Sequence, residues 1–275
     1  MDSQVGDFMK RRQLMEIADE PWCPALIRDF AIDYLEQVIT VGKVYEPMVE
    51  PLQRAVKLAQ AECVIDLCSG GGGPWRQIGP SFAAHCPEVK IVLTDLQQNA
   101  GAPERVRKLS GDTIQFHPAS VNALQVPSEL TGFRTLFSAF HHFQPAEARA
   151  ILRDAVASRV GIGIFEGTQR QPIALLGMLF VPLVVWLVTP QIRPFRWSRL
   201  LWTYLLPLVP FVVLFDGLVS CLRTYSVEEL KEFTAEFSAC DYRWEIGAAQ
   251  AGNSLVPVTY LIGYPTSLAA RKESG

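Results

Sequence analysis

From about residue 8 to residue 60, apolar positions recur at helical spacing, with Leu35, Val38 and Ile39 in one set and Leu52, Val56, Leu58 and Ala59 in another. Pro21, Pro24, Pro47 and Pro51 punctuate this region and mark helix boundaries. The pattern then changes. Short apolar runs at 63–67, 90–94, 113–116, 135–138 and 161–165 are separated by stretches long enough for a helix. A strand that alternates with a helix crosses over to a parallel neighbour, so this rhythm predicts a mostly parallel sheet with helices on its faces. A helix is predicted over 226–237, with Ser226 as N-cap and Glu229 three residues on completing a capping box. The last two apolar runs, 242–248 and 256–263, have no helix-length segment between them and are expected to pair antiparallel. No repeat at a solenoid period is present.

One interval breaks the rhythm. Between Arg170 and Arg193 there is no charged residue, and 200–215 is a second uncharged run. Residues 171–222 therefore read as an apolar helical insertion between the fifth strand and the helix that follows it. The predicted organisation is a helical cap or lid over 1–60, an α/β core from 61–170 and 223–265, and the insertion.

Composition narrows the class. With 275 residues, 49% hydrophobic and 19% charged, the chain suits one α/β domain with additions. A net charge of −3 and a pI near 5.9 argue against a nucleic-acid partner. The six cysteines form no C-x-x-C pair, so neither a disulfide framework nor a metal site is expected. Asp2, Asp7 and Lys10-Arg11-Arg12 leave no room for the apolar core of a signal peptide, so a cytoplasmic location is expected.

The strongest chemical signal is Val64-Ile65-Asp66-Leu67-Cys68-Ser69-Gly70-Gly71-Gly72-Gly73-Pro74-Trp75, a buried strand running into four glycines. Glycines permit left-handed backbone and close approach of a ligand, and a helix starting beside them offers free N–H groups. The next strand ends in Asp95, where an acid can hold ribose hydroxyls. Together these point to a nucleoside ligand. A dinucleotide fingerprint needs glycine at 75, and Trp75 stands there, which disfavours a nicotinamide oxidoreductase.

At these residues the chain resembles the class I S-adenosylmethionine-dependent methyltransferases, whose first motif runs acid-x-Gly-x-Gly-x-Gly. Here Asp66-Leu67-Cys68-Ser69-Gly70-Gly71-Gly72 matches it with Cys68 in place of the first glycine. The likeness extends to 116–121, where Ser120 stands in for the usual acid, to 138–143, to 224–230 and to 258–263. It implies a Rossmann-like methyltransferase sheet and S-adenosylmethionine as cofactor. It further implies that Cys68, Gly70 and Gly72 line the methionine end and that Asp66 orients the amino group directly or through water. Asp95 would hold the ribose, with Leu96, Ser120, Val121 and Ser138 beside the nucleoside.

Methyl transfer is an in-line displacement governed by positioning, with a base needed for some acceptors. His141 and His142 follow the fourth strand at the edge where ligands bind in open α/β sheets, and histidine titrates near neutrality. Adjacent residues seldom face one pocket, so at most one of the two is expected to act as base. Glu166, after the fifth strand, is the other candidate. Trp22, Tyr45 and Trp75 are candidates for an aromatic wall over the substrate. A cofactor-binding scaffold without turnover is the alternative from a different class.

The insertion's apolar runs, 173–189 and 200–215, fall short of the roughly 20 residues of a membrane span and are interrupted by Pro182, Pro207 and Pro210. A hairpin would put Arg193, Arg196 and Arg199 on the outer side, against the positive-inside rule. A monotopic element on the inner face of the membrane, or a cap over a greasy pocket, agrees better, and both imply a small lipophilic acceptor. The acceptor atom, oxygen or carbon, and the oligomeric state stay open.

Overall fold

The computed structural model describes residues 9–96, 113–250 and 257–266, so the expected starts at Phe8 and Val256 lie outside the described residues. Seven strands form one sheet: β1 (Cys63–Asp66), β2 (Lys90–Leu93), β3 (Ile114–Phe116), β4 (Phe133–Phe137), β5 (Ile162–Glu166), β6 (Tyr242–Ala249) and β7 (Val258–Pro265). Their order is β3-β2-β1-β4-β5-β7-β6. The first five are parallel, and β7 runs antiparallel between β5 and β6. The expected parallel rhythm and the final antiparallel pair are both present.

The strands are where apolar runs demand burial on both faces. All of β4 and β5 is buried. β4 begins at Phe133, two residues before the predicted strand. Arg134 disguises it in the sequence, but its guanidinium is buried and paired with Asp154.

The helices are α1 (Ala25–Gly42), α2 (Val49–Leu58), α3 (Trp75–His85), α4 (Pro145–Ala157), α5 (Pro172–Met178), α6 (Val181–Val188), α7 (Trp197–Leu200), α8 (Leu208–Arg223) and α9 (Val227–Ala235). One sheet face packs on α2 and α3 through Leu52, Val56, Ile78 and Phe82; the other packs on α4 and α9 through Ile151, Leu152, Leu230 and Phe233. The capping box of α9 forms as predicted, Ser226 Oγ accepting from the Glu229 amide and Glu229 Oε2 from the Ser226 amide.

Residues 9–60 divide between two apolar clusters. Met48, Leu52 and Val56 belong to the sheet's own core, whereas α1 joins the insertion in a separate apolar cluster. There Ile27, Phe30 and Tyr34 meet Val185, Ile192, Val209, Val212 and Val213. The reason is amphipathicity: each helix has one apolar face, and the two faces find different partners.

The insertion folds as α5, α6, α7, a π-helical turn Leu201–Leu205 and α8, with the other pieces packed on α8 or on the turn. Among the described residues no single helix is long and apolar enough to cross a membrane; two bent pairs reach the length, 172–191 broken by 45° and 197–223 broken by 71°. Arg199 departs from the expectation that it faces headgroups. It is buried, paired with Asp33 at 2.5 Å and placed 5.2 Å over the Phe30 ring, because a turn of α7 points it at α1. Arg193 remains exposed and Arg196 half-buried, the latter between Phe195 and Trp197, whose rings meet edge to face.

Candidate active site

The strand order reverses between β1 and β4, and a crevice opens at the carboxyl ends of strands at such a point. The predicted site residues on β1, β2, β4 and β5 all emerge there.

Asp66 ends β1 and is buried. Its Oδ1 accepts from Thr135 Oγ1 at 2.6 Å and its Oδ2 from Ser69 Oγ at 2.7 Å, which ties the loop to β4. Burial pushes its carboxyl up to about 6 against those two hydrogen bonds. Asp66 braces the loop from below, with both oxygens occupied, and does not face open space.

Cys68, where the motif has glycine, sits at φ 58°. This left-handed geometry costs a side-chain-bearing residue roughly 1–2 kcal/mol. Its thiol is pushed up to about 12 by burial and by the charges of Asp95 and Asp66, so it is no nucleophile. A Cys68→Gly change relieves strain but loses a partly buried side chain, and the thermal midpoint is expected to stay within about 2 °C of wild type. Cys68→Val adds a β-branched side chain in the same geometry and should lower the midpoint by several degrees, at roughly 2–4 °C per kcal/mol for a domain of this size. Equal stability of the valine variant would show that the turn is not constrained.

Gly70 has φ 56°, and a Cβ built there meets nothing within 4 Å, so its missing side chain leaves a cradle. Its amide donates to Asp95 Oδ2 at 2.7 Å. At Gly71 a Cβ would lie 1.8 Å from Glu36 Oε1, so α1 passes directly over the loop. Beyond β2, the Asp95 carbonyl accepts from the Val121 amide at 2.9 Å, and Ser120 Oγ donates to the Leu96 carbonyl at 2.5 Å. Leu96 itself is exposed and Val121 buried.

At the end of β4, Ser138 also adopts left-handed backbone, φ 46°, and its Oγ lies 2.5 Å from the Tyr45 hydroxyl and accepts from the Gly167 amide. Tyr45, in the turn before α2, and Trp75, the first residue of α3, are both buried in the core, edge-on to Phe137. Trp22 is 62% exposed.

The Phe140–His142 segment is a 3₁₀ turn held by Glu166, the last residue of β5. Glu166 Oε1 accepts from the Phe140 and His141 amides at 2.8 and 3.2 Å, and its Oε2 pairs with His141 Nδ1 at 2.7 Å. His141 Nε2 is buried and has no hydrogen-bond partner; Glu16 Oε1 is 3.6 Å away. Although burial alone would lower it, the carboxylates of Glu166 and Glu16 push His141 up to about 9. His142 Nδ1 pairs with Asp19 at 2.9 Å, and its Nε2 lies 3.9 Å from Glu16 Oε2.

The two imidazoles thus face one carboxylate, with ring centroids 4.4 Å apart, contrary to the expectation that neighbours diverge. Divergence is a property of extended strands; a 3₁₀ turn with long side chains lets neighbours converge.

Several members of this cluster are invisible to sequence patterns. Residues 16–19 lie in a strap that forms a short 3₁₀ turn at Ile17–Asp19, pinned where Asp216 accepts from the Ile17 and Ala18 amides at 2.6 and 2.9 Å. Glu16 Oε1 accepts from Ser220 Oγ at 3.0 Å and lies 3.3 Å from Arg223 Nη1. Burial would raise the carboxyls of Glu16 and Asp19, but the neighbouring imidazoles of His141 and His142, the latter hydrogen-bonded to Asp19, and the charge of Arg223 hold both below the ordinary range. Arg11 and Arg223 bind the carbonyls of His141, His142 and Phe143. The sequence held one clue: Asp216 is the lone acid of an otherwise acid-free insertion, and it is spent on the strap.

No protein-family model matches this chain, and no curated protein sequence does. Solved structures do. TnmH is similar over 90% of this chain and 60% of its own, at 16% identity and a TM-score of 0.52. The plantazolicin methyltransferase BpumL, solved with S-adenosylhomocysteine, is similar over 88% of this chain and 98% of its own, at 9% identity and a TM-score of 0.46. An O-methyltransferase family protein from Burkholderia thailandensis is similar over 82% of this chain and 57% of its own, at 17% identity and a TM-score of 0.41. The chain spans less than two thirds of the length of TnmH and of the Burkholderia protein. At these identities the likeness is one of fold.

Proposed function

We propose that this chain, which has the Rossmann-like sheet of class I methyltransferases, transfers a methyl group from S-adenosylmethionine to a small lipophilic acceptor at a membrane surface. The observation that carries the reading is the open cradle at Gly70, with the Asp95 carboxylate on its amide, at the reversal point of the sheet. The residues fit the cofactor. The loop from Cys68 to Gly72 would take the methionine end, Asp95 the ribose, and Leu96, Ser120 and Val121 the base. Bound there, the cofactor supplies an electrophilic methyl group.

What the chain itself adds is position and a place for the acceptor's proton. A hydroxyl or an enolic carbon gives up a proton on methylation. The row Glu166–His141–Glu16, with consecutive atoms 2.7 and 3.6 Å apart, links the carboxyl ends of β4 and β5 to the strap at 16–19. Glu166 positions His141, and the Glu16 carboxylate beside it is the group that would take the acceptor's proton.

The lipophilic and membrane part is supported by the insertion's surface. Phe180, Leu187, Trp197 and Leu205 are each at least 64% exposed, and Ile173, Leu176, Leu183 and Phe211 stand out beside them. Apolar surface leaving water gains roughly 25 cal/mol per Å², so a few such side chains hold a helix at a bilayer. Arg193 and Arg196 stand in the same stretch as the Phe195–Trp197 pair, a combination that suits the headgroup level.

The experiment is transfer of labelled methyl from S-adenosylmethionine to lipid extract, run beside sedimentation with anionic vesicles. Reversing Arg193 and Arg196 to glutamate should weaken vesicle binding by about thirtyfold or more, at about 1 kcal/mol per basic residue, with S-adenosylhomocysteine affinity unchanged. A wild-type protein that never sediments would remove the membrane from the reading. Cofactor binding without labelled product from any extract would favour a non-catalytic scaffold.

A further inference from the structure

We propose that Glu16, His141 and His142 form a binding site for one divalent first-row transition ion of the zinc class. The donor atoms of these three residues all lie within 4.8 Å of one another. His141 Nε2 is 3.6 Å from Glu16 Oε1, and His142 Nε2 is 3.9 Å from Glu16 Oε2. Donors around a tetrahedral ion at about 2.1 Å stand roughly 3.4 Å apart, so a small inward shift completes three positions of a coordination sphere.

The second observation is how each ligand is held. Histidines that bind a metal through one ring nitrogen almost always give the other to a carboxylate or carbonyl, which fixes tautomer and orientation. Both imidazoles here do so: His141 Nδ1 to Glu166 at 2.7 Å and His142 Nδ1 to Asp19 at 2.9 Å. Each therefore turns Nε2 toward Glu16, and the buried Nε2 of His141 has no hydrogen-bond partner. Glu16 is oriented as well, its Oε1 taken by Ser220 Oγ and Arg223, which leaves Oε2 for an ion.

Charge agrees. The charged groups touching the two imidazoles or Glu16 are Asp19, Glu166 and Arg223, so with Glu16 itself three carboxylates face one guanidinium. With both imidazoles neutral, as ligation requires, the excess of two negative charges is what a divalent cation neutralises, the His141 proton leaving as the ion binds. Arg11 touches neither imidazole nor Glu16: it binds the carbonyls of His141, Phe143 and Arg223 and the Gln13 side chain, and lies over the Tyr225 ring. Two imidazoles and one carboxylate select zinc-like ions over magnesium or calcium, which demand oxygen ligands. Three protein ligands leave open positions, the signature of a site that receives a water or an acceptor oxygen.

This inference uses Glu16 and His141, which the proposed methyl transfer also uses, but it does not depend on that transfer; no pattern in the sequence announced it, because the ligands come from two segments 125 residues apart. Tag-free full-length protein, stripped with chelator, is titrated with cobalt(II) and followed by its visible d–d absorption, with zinc(II) calorimetry in parallel. One equivalent should bind, with bands of a four- or five-coordinate site that zinc abolishes. Glu16→Gln and His142→Ala, each checked for native circular dichroism, should weaken binding at least tenfold, and Asp19→Asn should weaken it by about tenfold through His142. Folded wild-type protein without d–d bands at millimolar cobalt would overturn the site, and so would a folded Glu16→Gln variant of undiminished affinity. In the first case the two imidazoles are held by their protons alone. Binding of S-adenosylhomocysteine to stripped protein is measured separately, so failure of one reading leaves the other standing.

Discussion

Exchanging Glu166 for glutamine is expected to lower the stability of the chain by about 3–5 kcal/mol, the cost of leaving one member of a buried ion pair without its partner. Glu166 is 2% exposed and accepts three hydrogen bonds, two from the amides of the β4 turn and one from His141. A carboxylate satisfies all three donors; a glutamine amide turns one of its own donors toward them. The turn that carries His141 and His142 then loses its anchor, and His141 keeps only Glu16 as a nearby carboxylate. Denaturant unfolding followed by tryptophan fluorescence reads the change directly. In the proposed methyl transfer, turnover should fall at least a hundredfold with a smaller change in cofactor affinity, because the damage lies on β4 and β5 and not on the glycine loop. A variant within 1 kcal/mol of wild type would mean that the Glu166–His141–Glu16 row carries little of the fold.

Gly70→Val is expected to abolish binding of S-adenosylhomocysteine, by more than a hundredfold in calorimetry, while the chain still folds. Two effects add. The residue stands at φ 56°, which a β-branched side chain resists at a cost of roughly 1–2 kcal/mol. The new side chain would also project into the space that no protein atom occupies within 4 Å of the Cβ position. Asp95→Ala should weaken binding less, since it removes one acceptor from the Gly70 amide and leaves the cradle open. Undiminished affinity in Gly70→Val would move the cofactor away from this loop and undo the functional reading at its base.

The strand ends were legible because the signals there are local. A buried strand followed by glycines has few interpretations, and Asp95 closes the next strand at the position that topology places beside it. The same locality sets the limit. Chemistry alone makes Tyr45 and Trp75 candidates for a wall, and only the packing shows both buried against Phe137. Arg199 was read as a headgroup ligand from its neighbours in the chain, whereas its partner Asp33 lies 166 residues away.

By itself the sequence determined the α/β class, the parallel order of the first five strands, the antiparallel end, the glycine loop and the apolar insertion. Each follows from the period of apolar residues or from the backbone freedom of glycine, and both act over a few neighbouring positions. The tertiary structure alone decided that α1 belongs with the insertion, that the strap at 16–19 is pinned by Asp216, and that Glu16 faces both histidines. The first is a meeting of apolar faces and the others bring polar and charged groups together, all from distant segments, held by burial and by complementary charge. No periodicity encodes them, because a single carboxylate in that strap leaves no pattern until the fold brings its partners within 4 Å.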